Sequence, residues 1–299
     1  MRRGRIMAET EMHSKSLTVW LVRQWIEFYV LIKKRSGIQL KGLGFVLRLI
    51  KRDFVFEVSG CTFFFEPRCA AAYAIMPAGY WNEPETHLFF RKVIPSAEQK
   101  VSFVDVGASI GEMGIDVAGL QQVVRAYCFE PQEDCAASIR RSAALNHLGN
   151  IEVRQCALSD TVQQIRFECS ARSPSSARLV VAGDSAGPMI TTSTLDNELG
   201  SLEGQVLMLI DVEGAEVQVL RGGEGLVNRT RPLIVFEYNK VSKRQFGLED
   251  VAQLLGKSYE LFRLRHDGLL DRDFTSTWNC VAVPLATNWE SSCRKLIVA

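Results

Sequence analysis

The stretch Val-Ser-Phe-Val-Asp-Val-Gly-Ala-Ser-Ile-Gly, residues 101–111, joins an apolar run to a glycine loop. Residues 101–106 predict a buried strand, and residues 110–122 carry apolar side chains at helical spacing. The loop therefore follows the carboxyl end of a strand and precedes a helix, whose free N–H groups favour an acceptor or a negative group. Gly107 and Gly111 leave room for a ligand that approaches the backbone closely, so we expect a ligand-binding loop.

The glycine spacing separates two hypotheses about a nucleotide cofactor. A dinucleotide fingerprint needs Gly-x-Gly-x-x-Gly to bring a pyrophosphate against the helix, whereas this loop has Gly107-x-x-x-Gly111. Asp105 would repel a pyrophosphate but suits the ammonium group of S-adenosylmethionine. A second predicted strand, residues 125–131, contains Glu130 near its end, where a carboxylate can accept hydrogen bonds from both ribose hydroxyls. The two signals together favour S-adenosylmethionine.

Further segments match one family. They are Phe-Val-Asp-Val-Gly-Ala-Ser-Ile-Gly (103–111), Cys-Phe-Glu-Pro (128–131), Asn146, Cys-Ala-Leu-Ser-Asp (156–160), Ser-Thr-Leu-Asp (193–196), Leu-Ile-Asp-Val-Glu-Gly-Ala-Glu (209–216), Val-Leu-Arg-Gly (219–222) and Arg-Pro-Leu-Ile-Val-Phe-Glu (231–237). On these residues the chain resembles the FkbM-type methyltransferases of the class I S-adenosylmethionine-dependent superfamily, over roughly residues 79–284. Asp-Val-Glu-Gly-Ala-Glu is the most specific segment. Ser109 departs from the family, which usually has Asn there.

Strands alternate with helices after residue 100. Strands are expected at 101–106, 125–130, 151–156, 206–211, 232–237, 259–265 and 278–283, and helices at 110–122, 133–146, 215–228 and 247–256. This alternation predicts an α/β fold with a doubly wound, mainly parallel, seven-stranded sheet and helices on both faces. The last two strands have no clear helix between them and are expected to pair antiparallel, as the resemblance implies. Ser170–Thr192, rich in Ser, Gly and Ala, is expected to be a loop near the substrate.

Composition divides the chain into four segments. We expect a basic amphipathic arm (1–52), a β-hairpin and helix leading into the core (53–95), the S-adenosylmethionine-binding domain (96–285) and a C-terminal tail (286–299). Residues 1–52 hold twelve Lys and Arg against three acids, although the net charge of the whole chain is only +1.

The apolar run Leu17–Ile32 is the main feature of the arm. As a helix it would span about 24 Å, short of a ~30 Å hydrocarbon core, and it contains Arg23, Gln24 and Glu27 on one side. We therefore expect a helix that either lies in an anionic membrane interface or packs on its own domain, and no transmembrane span. Nucleic acid is disfavoured as a partner because the run is apolar.

The candidate site residues lie where the predicted strands end, since ligands bind across the carboxyl ends of such sheets. The candidate cofactor-binding residues are Asp105, Gly107, Ala108, Gly111, Glu130 and Ala157. The candidate catalytic residues are Asp211, Glu213 and Glu237. A methyl acceptor must lose a proton, and a carboxylate can take it. Asp211, Glu237 and Asn239 are also hard oxygen ligands, so a divalent metal such as Mg²⁺ stays open as an alternative to a base.

The resemblance implies O-methylation of a hydroxyl on a sugar, a glycolipid or a secondary metabolite. Two alternatives stay open: a nicotinamide-dependent oxidoreductase, and a cofactor-binding scaffold without catalysis. The eight cysteines form no Cys-x-x-Cys pair, which indicates reduced thiols and a cytoplasmic protein. The basic arm adds the expectation that the protein lies at the inner face of a membrane. No oligomeric state follows from the sequence.

Overall fold

The computed structural model describes residues 17–36, 47–170, 173–180 and 189–298. The strands are β1 (Phe54–Val58), β2 (Cys61–Phe65), β3 (Val101–Val106), β4 (Val123–Phe129), β5 (Ile151–Arg154), β6 (Ala157–Leu158), β7 (Gln164–Ser170), β8 (Ser173–Val180), β9 (Met189–Ser193), β10 (Gln205–Ile210), β11 (Leu233–Glu237), β12 (Tyr259–Leu264), β13 (Leu270–Asp271) and β14 (Asn279–Pro284). The α-helices are α1 (Leu17–Ser36), α2 (Pro84–Val93), α3 (Glu112–Ala118), α4 (Glu133–Leu145), α5 (Leu195–Leu199), α6 (Glu216–Arg221), α7 (Glu224–Thr230), α8 (Leu248–Leu255) and α9 (Asn288–Arg294).

The central sheet is mixed and mainly parallel. Its eight strands lie in the order β13-β12-β14-β11-β10-β3-β4-β5. The pairs from β11 to β5 are all parallel, whereas β14 is antiparallel to both of its neighbours. The chain moves outward from β3 to β5 and then continues on the other side of β3 as β10 and β11. The strand order therefore reverses between β3 and β10, and their carboxyl ends are the expected position of a ligand.

All seven predicted strands are present, and the sheet has one more. The extra strand β13 has two residues and pairs antiparallel with β12 at the edge. The prediction of seven strands was therefore wrong by one strand. Two residues are too few for a recognisable hydrophobic alternation in the sequence. The expected antiparallel pair is confirmed as β12–β14. The hairpin is confirmed as well, with Ser59 and Gly60 at φ 50° and 88° in its two-residue turn.

The helix predicted over residues 215–228 is broken into α6 and α7 at Gly222 and Gly223. A Cβ atom at Gly222 would lie 2.0 Å from the carbonyl oxygen of Ser159, and one at Gly223 would lie 2.7 Å from the Leu195 Cδ1 atom. The backbone therefore packs too closely for any side chain at these positions. Two consecutive glycines also disfavour helix, which explains why the break falls here.

The segment Ser170–Thr192, predicted as a loop, contains strands. β8 and β9 both pair antiparallel with β7, and β9 pairs in parallel with β6. The loop prediction was wrong for residues 173–180 and 189–192. The Ser-, Gly- and Ala-rich composition gave no indication of these strands, because strand pairing satisfies the backbone N–H and C=O groups whatever the side chains are. Residues 171–172 and 181–188 lie outside the described residues.

Both faces of the central sheet are buried. Phe103 and Leu209 pack on one face with apolar side chains of α2, α3 and α9. Val104 and Met208 pack on the other face with α6, α7 and α8. Successive residues of a strand point to opposite faces of the sheet. Because both faces are buried, most residues of β3 and all of β10 after Gln205 are apolar. The predicted doubly wound α/β architecture is confirmed.

Helix α1 packs on the hairpin through one face only. Its buried residues are Val22, Ile26, Tyr29 and Val30, which join a cluster with the aromatic side chains of β1 and β2. Its outer face exposes the large apolar side chains Trp20, Leu21, Phe28 and Leu31. In the parts of the chain that are described, no helix is long and apolar enough to cross a membrane. The rest of the predicted arm, residues 1–16 and 37–46, lies outside the described residues.

Candidate active site

A cavity opens at the carboxyl ends of β3, β10 and β11. Six of its lining residues are acids: Glu83, Asp105, Glu112, Asp211, Glu213 and Glu237. Among the described residues that line this cavity there is no Lys, Arg or His. Glu112 has a basic partner behind the cavity wall, since its Oε1 atom lies 3.2 Å from His87 Nε2. The other acids have no Lys, Arg or His in the described lining, which favours either a bound cation or retained protons. We call this space the acid-lined cavity.

The structure brings together two thirds of the candidate site residues. Those that line the acid-lined cavity are Asp105, Gly107, Ala108, Asp211, Glu213 and Glu237. Those that do not line it are Gly111, Glu130 and Ala157. Ala157 is buried in the second sheet, where it pairs with Thr192. Ala157 was expected at the end of a strand of the central sheet, and it lies instead in β6 of the second sheet.

Chain packing requires glycine at positions 107 and 111, independently of any ligand. Gly107 has φ +86°, and a Cβ atom there would lie 1.9 Å from the carbonyl oxygen of Asp211. Gly111 has φ +80°, and a Cβ atom there would lie 3.0 Å from the Ile139 side chain. Positive φ favours glycine at both positions. The first glycine therefore lets the loop after β3 touch the loop after β10, which carries Asp211.

Glu130 holds the glycine loop. Its Oε2 atom accepts a hydrogen bond of 2.8 Å from the Ser109 N–H, and its Oε1 atom accepts one of 2.8 Å from the Gln132 N–H. Burial raises the pKa of Glu130 to about 7. Each carboxylate oxygen has a second lone pair, so these bonds leave capacity for ribose hydroxyls. At Ser109, where the family usually has Asn, it is the backbone N–H that makes the contact with Glu130.

Asp105 is the most enclosed acid of the cavity. Its side chain is buried, and its Oδ2 atom has no hydrogen-bond partner among the described residues. Its pKa is raised to about 7, chiefly by burial and also by the charges of Glu83 and Glu112, against the lowering effects of a hydrogen bond from the Gly114 N–H and of nearby His87. An unpaired buried carboxylate oxygen is costly unless a cation or a donor meets it. The unpaired carboxylate oxygen of Asp105 therefore fits a cationic ligand group at this position.

Asp211 and Glu237 form a pair at the ends of the adjacent parallel strands β10 and β11. Their carboxyl groups share a hydrogen bond, while the Oε2 atom of Glu237 has no partner among the described residues. Burial raises the pKa of Asp211 well above its usual range, and the charge of Glu237 raises it further. Burial, followed by the charge of Glu213, raises the pKa of Glu237. Two buried carboxyl groups that contact each other therefore hold a proton to higher pH than exposed carboxyl groups do.

The remaining acids of this loop have structural partners. Glu216, at the start of α6, accepts a hydrogen bond of 3.2 Å from the Gly214 N–H and one of 3.4 Å from the Val212 N–H, so it stabilises the helix start as an acid there is expected to do. Glu213 adopts a left-handed conformation with φ 53°, and burial raises its pKa. Its side chain is hydrogen-bonded to Asn239.

The metal alternative receives no support from this geometry. The Oδ1 atom of Asn239, one of the proposed ligands, accepts hydrogen bonds from Val241 N–H at 2.6 Å and Ser242 N–H at 3.1 Å, so it closes a turn. No group of three or more His, Cys, Asp or Glu side chains within the described ranges is arranged to hold a metal ion.

Glu83 and Glu112 connect the cavity to a buried network between α2 and α3. Glu83 Oε2 accepts hydrogen bonds from Asn279 Nδ2 at 2.9 Å and from Thr86 Oγ1 at 3.1 Å. Glu112 accepts hydrogen bonds from the backbone and side chain of Asn82 at 2.8 and 2.7 Å. Burial, followed by the charge of Glu112, raises the pKa of Glu83 to about 7. Neither acid was among the sequence candidates, because Glu83 directly precedes Pro84 at a helix start and Glu112 resembles an ordinary acid in a first helical turn.

Trp278 is another residue of the cavity that was not among the sequence candidates. It lies directly before β14, lines the acid-lined cavity and is 54% exposed. In the sequence it is one Trp in a polar segment, and no spacing rule separates it from a surface residue. Its position follows from the antiparallel pairing of β14 with β11, which places Asn279 opposite Glu237.

The strand order, with its reversal between β3 and β10, is that of the class I methyltransferase fold. The family model described as Methyltransferase FkbM domain matches residues 105–264, and the chain belongs to this family. No curated protein matches the chain.

Solved structures of low sequence identity share parts of the architecture. Methyltransferase FkbM from Methylobacillus flagellatus KT is 17% identical with a TM-score of 0.41, over 62% of this chain and 43% of that protein. The chain thus spans less than half the length of that relative. M. jannaschii TYW2 in complex with AdoMet is 15% identical with a TM-score of 0.39, over 77% of this chain and 84% of that one. SMU.1697c from Streptococcus mutans in complex with SAH is 8% identical with a TM-score of 0.40, over 68% of this chain and 98% of that one.

Proposed function

We propose that this methyltransferase uses S-adenosylmethionine to methylate a hydroxyl group of a sugar, a glycolipid or a secondary metabolite. The observation that carries the cofactor assignment is the acid-lined cavity, with the unpaired Oδ2 atom of buried Asp105 inside it. S-Adenosylmethionine has two cationic groups, the sulfonium and the amino-acid ammonium. A cavity with six acids and no basic residue among its described lining suits such a ligand electrostatically.

The residues of the cavity divide into binding and proton-accepting roles. Asp105 is proposed to hold the ammonium group, and Glu130 to accept hydrogen bonds from the ribose while it fixes the glycine loop. When bound, the cofactor supplies a methyl group on a sulfonium centre. The Asp211–Glu237 pair would take the proton that the acceptor hydroxyl group loses when it receives the methyl group. Glu213 is proposed to tune this pair, because its charge raises the pKa of Glu237.

The raised pKa values support the proton-accepting role. A general base is most effective when its pKa lies near the working pH, and an ordinary carboxylate is too weakly basic for that. Burial and neighbouring acids raise the pKa of both Asp211 and Glu237. The pair is therefore better suited than an exposed carboxylate to take a proton from a hydroxyl group.

A nicotinamide cofactor is the weaker candidate. Its pyrophosphate would lie among acids that repel it, and the loop lacks the glycine spacing that brings a pyrophosphate to a helix. Thermal shift with S-adenosylmethionine and with NAD decides between the two. We expect a rise in melting temperature with the first only, and a rise with NAD alone would refute the proposal.

Product formation separates an enzyme from an inactive scaffold. The full chain is incubated with methyl-labelled S-adenosylmethionine and a panel of hydroxylated glycans, glycolipids and small metabolites, and S-adenosylhomocysteine is quantified. We expect product with at least one acceptor, and less of it in Asp211→Asn. Glu203→Gln, at an exposed acid just before β10 and so at the end of this strand opposite to the cavity, is the control and should match the wild type. Cofactor binding without product from any acceptor would favour the scaffold.

We also propose that α1 holds the protein at an anionic membrane surface, at the inner face of a membrane. The supporting observation is its outer face, where Trp20, Leu21, Phe28 and Leu31 are exposed. The excess of Lys and Arg over acids in residues 1–52 gives this segment the charge that complements anionic lipid. Aromatic and apolar side chains would enter the interface, and the basic residues would meet the headgroups.

Vesicle co-sedimentation tests this membrane proposal. The double variant Trp20→Ser/Phe28→Ser should bind phosphatidylserine vesicles at least about tenfold more weakly than the wild type, since it removes the largest apolar contacts. Val162→Ser, which removes an equally exposed apolar side chain away from α1, should bind like the wild type. Equal binding of all three proteins, or equal binding to neutral and anionic vesicles, would refute it.

A further inference from the structure

A second cavity adjoins the acid-lined cavity, and Trp278 lines both. The side chain of Trp278 is exposed, but its backbone is fixed, because its carbonyl oxygen accepts a hydrogen bond of 2.7 Å from the Tyr238 N–H. Tyr238 directly follows Glu237 of the proposed proton-accepting pair. The indole therefore lies between the proposed site of chemistry and the second cavity, in a position set by the sheet.

The second cavity has a polar wall in which both arginines, Arg263 and Arg265, are already paired with acids, and His266 lies beside them. Arg263 makes a two-pronged contact with Asp271, with Nε–Oδ1 at 2.9 Å and Nη2–Oδ2 at 2.5 Å. Arg265 makes a similar contact with Asp267, at 3.2 and 3.0 Å. These guanidinium groups hold the pKa values of Asp267 and Asp271 below their usual range, so both pairs stay ionised near neutral pH.

Such a wall selects against both anions and apolar chains. Glu85 adds one more carboxyl group to the lining, so a phosphate or carboxylate would meet acids as well as arginines whose charge is already matched. An apolar chain would cover hydrogen-bonding groups of Arg265, Asp267 and Ser276 without replacing their partners in water. A neutral ligand with many hydroxyl groups satisfies these donors and acceptors without adding charge.

We propose that the second cavity is an acceptor subsite, in which a neutral pyranose ring packs on the indole of Trp278 beside the unit that receives the methyl group. The C–H face of a pyranose carries partial positive charge and complements the electron-rich face of an indole. Its hydroxyl groups reach the polar wall formed by Arg265 and Asp267. This inference rests on the proposed function, and it narrows the acceptor to a glycan of two or more units with a neutral sugar next to the methylated one.

Ligand-observed saturation-transfer NMR tests the subsite directly. The full chain is saturated with S-adenosylhomocysteine and mixed with maltose, cellobiose or lactose, and separately with glucuronic acid and glucose 6-phosphate. We expect saturation transfer to at least one neutral disaccharide, and little or none to the two anionic sugars. Saturation of the anionic sugars alone, or of no sugar at all, overturns the proposal.

Two Trp variants provide a matched comparison. Trp278→Ala should weaken disaccharide binding by about tenfold or more, as loss of one aromatic platform does, and Trp278→Phe should restore part of it. Trp20→Ala is the control, because Trp20 on α1 is 55% exposed against 54% for Trp278. Disaccharide binding that survives Trp278→Ala unchanged overturns the proposal.

Cofactor affinity, measured by calorimetry on each variant, separates two kinds of failure. If S-adenosylmethionine binds all variants but no disaccharide binds, the subsite is wrong and the proposed cofactor stands. If S-adenosylmethionine itself does not bind the wild type, the proposed function fails first.

Discussion

The carboxyl groups of Asp211 and Glu237 share a hydrogen bond where two adjacent parallel strands end. The pair lies beside Gly107, whose missing side chain lets the loop after β3 reach the carbonyl group of Asp211. The glycine loop and the paired acids are therefore parts of one packed unit. Changes in either are expected to affect the other.

The first prediction concerns the proton. Asp211→Asn and Glu237→Gln should each keep their affinity for S-adenosylmethionine and lose turnover by about 100-fold or more, the usual scale for a positioned acid–base group. Wild-type turnover should also rise with pH as the pair loses its shared proton, because only the ionised carboxylate accepts a proton. Steady-state assays on an accepted substrate between pH 6 and 9 measure both effects. Full activity in both variants would mean that positioning alone drives the transfer.

The second prediction compares two glycines with the same backbone conformation. Gly107 and Gly204 both have φ +86°, but a Cβ atom would lie 1.9 Å from the Asp211 carbonyl oxygen at the first and would have nothing within 4 Å at the second. Gly204→Ala should lower the free energy of unfolding by only about 1 kcal/mol, which is the conformational cost of a non-glycine residue at positive φ. Gly107→Ala should lose clearly more free energy of unfolding, because the two loops must separate. Equal losses in denaturant titrations would show that the close approach has no energetic weight.

The third prediction concerns Glu130. Glu130→Ala should weaken S-adenosylmethionine binding by about 10- to 100-fold, the equivalent of one or two charge-assisted hydrogen bonds. Glu133→Ala, at an exposed acid three residues on, should leave the affinity unchanged. A 2′,3′-dideoxyribose analogue of S-adenosylhomocysteine distinguishes direct from indirect action. If Glu130 contacts the ribose, the affinities of the variant and the wild type should differ less for this analogue than for S-adenosylhomocysteine. An equally large difference for both ligands would assign Glu130 to loop support alone.

The fourth prediction is a pH dependence of stability without cofactor. Burial raises the pKa of Asp105, Glu130 and Glu216 to about 7, whereas the unfolded chain releases these protons near pH 4. The folded state therefore binds more protons in this window, and the free energy of unfolding should fall as pH rises from about 4 to about 7 and level off above. Glu216→Gln should melt higher than the wild type at pH 8, with a smaller pH dependence. A melting temperature that rises steadily between pH 5 and 8 would contradict these assignments.

Much of the fold could be predicted because its signals are local. Residues 101–106 and 206–210 are apolar runs that end at Gly107 and Asp211, and alternation with helices implies a parallel sheet. The sequence did not reveal β13, whose two residues are held by pairing alone, or the break at Gly222, which depends on a contact with Ser159.

The site was predictable where a residue follows a strand directly, as Asp105, Asp211 and Glu237 do. It was less predictable where a side chain reaches the cavity from another element. Glu112 faces it from the first turn of α3, and Trp278 faces it because β14 runs antiparallel to its neighbours. These positions depend on tertiary packing, which spacing along the chain does not encode.

Calorimetric titration of the full chain with S-adenosylmethionine tests the central claim most directly. We predict saturable binding of one cofactor per chain, and a loss of about tenfold or more in Asp105→Asn, because that variant removes the proposed partner of the ammonium group. NAD should give no saturable heat under the same conditions. Absence of binding by S-adenosylmethionine, or binding of NAD with equal or higher affinity, would contradict the assignment of the acid-lined cavity to a sulfonium cofactor.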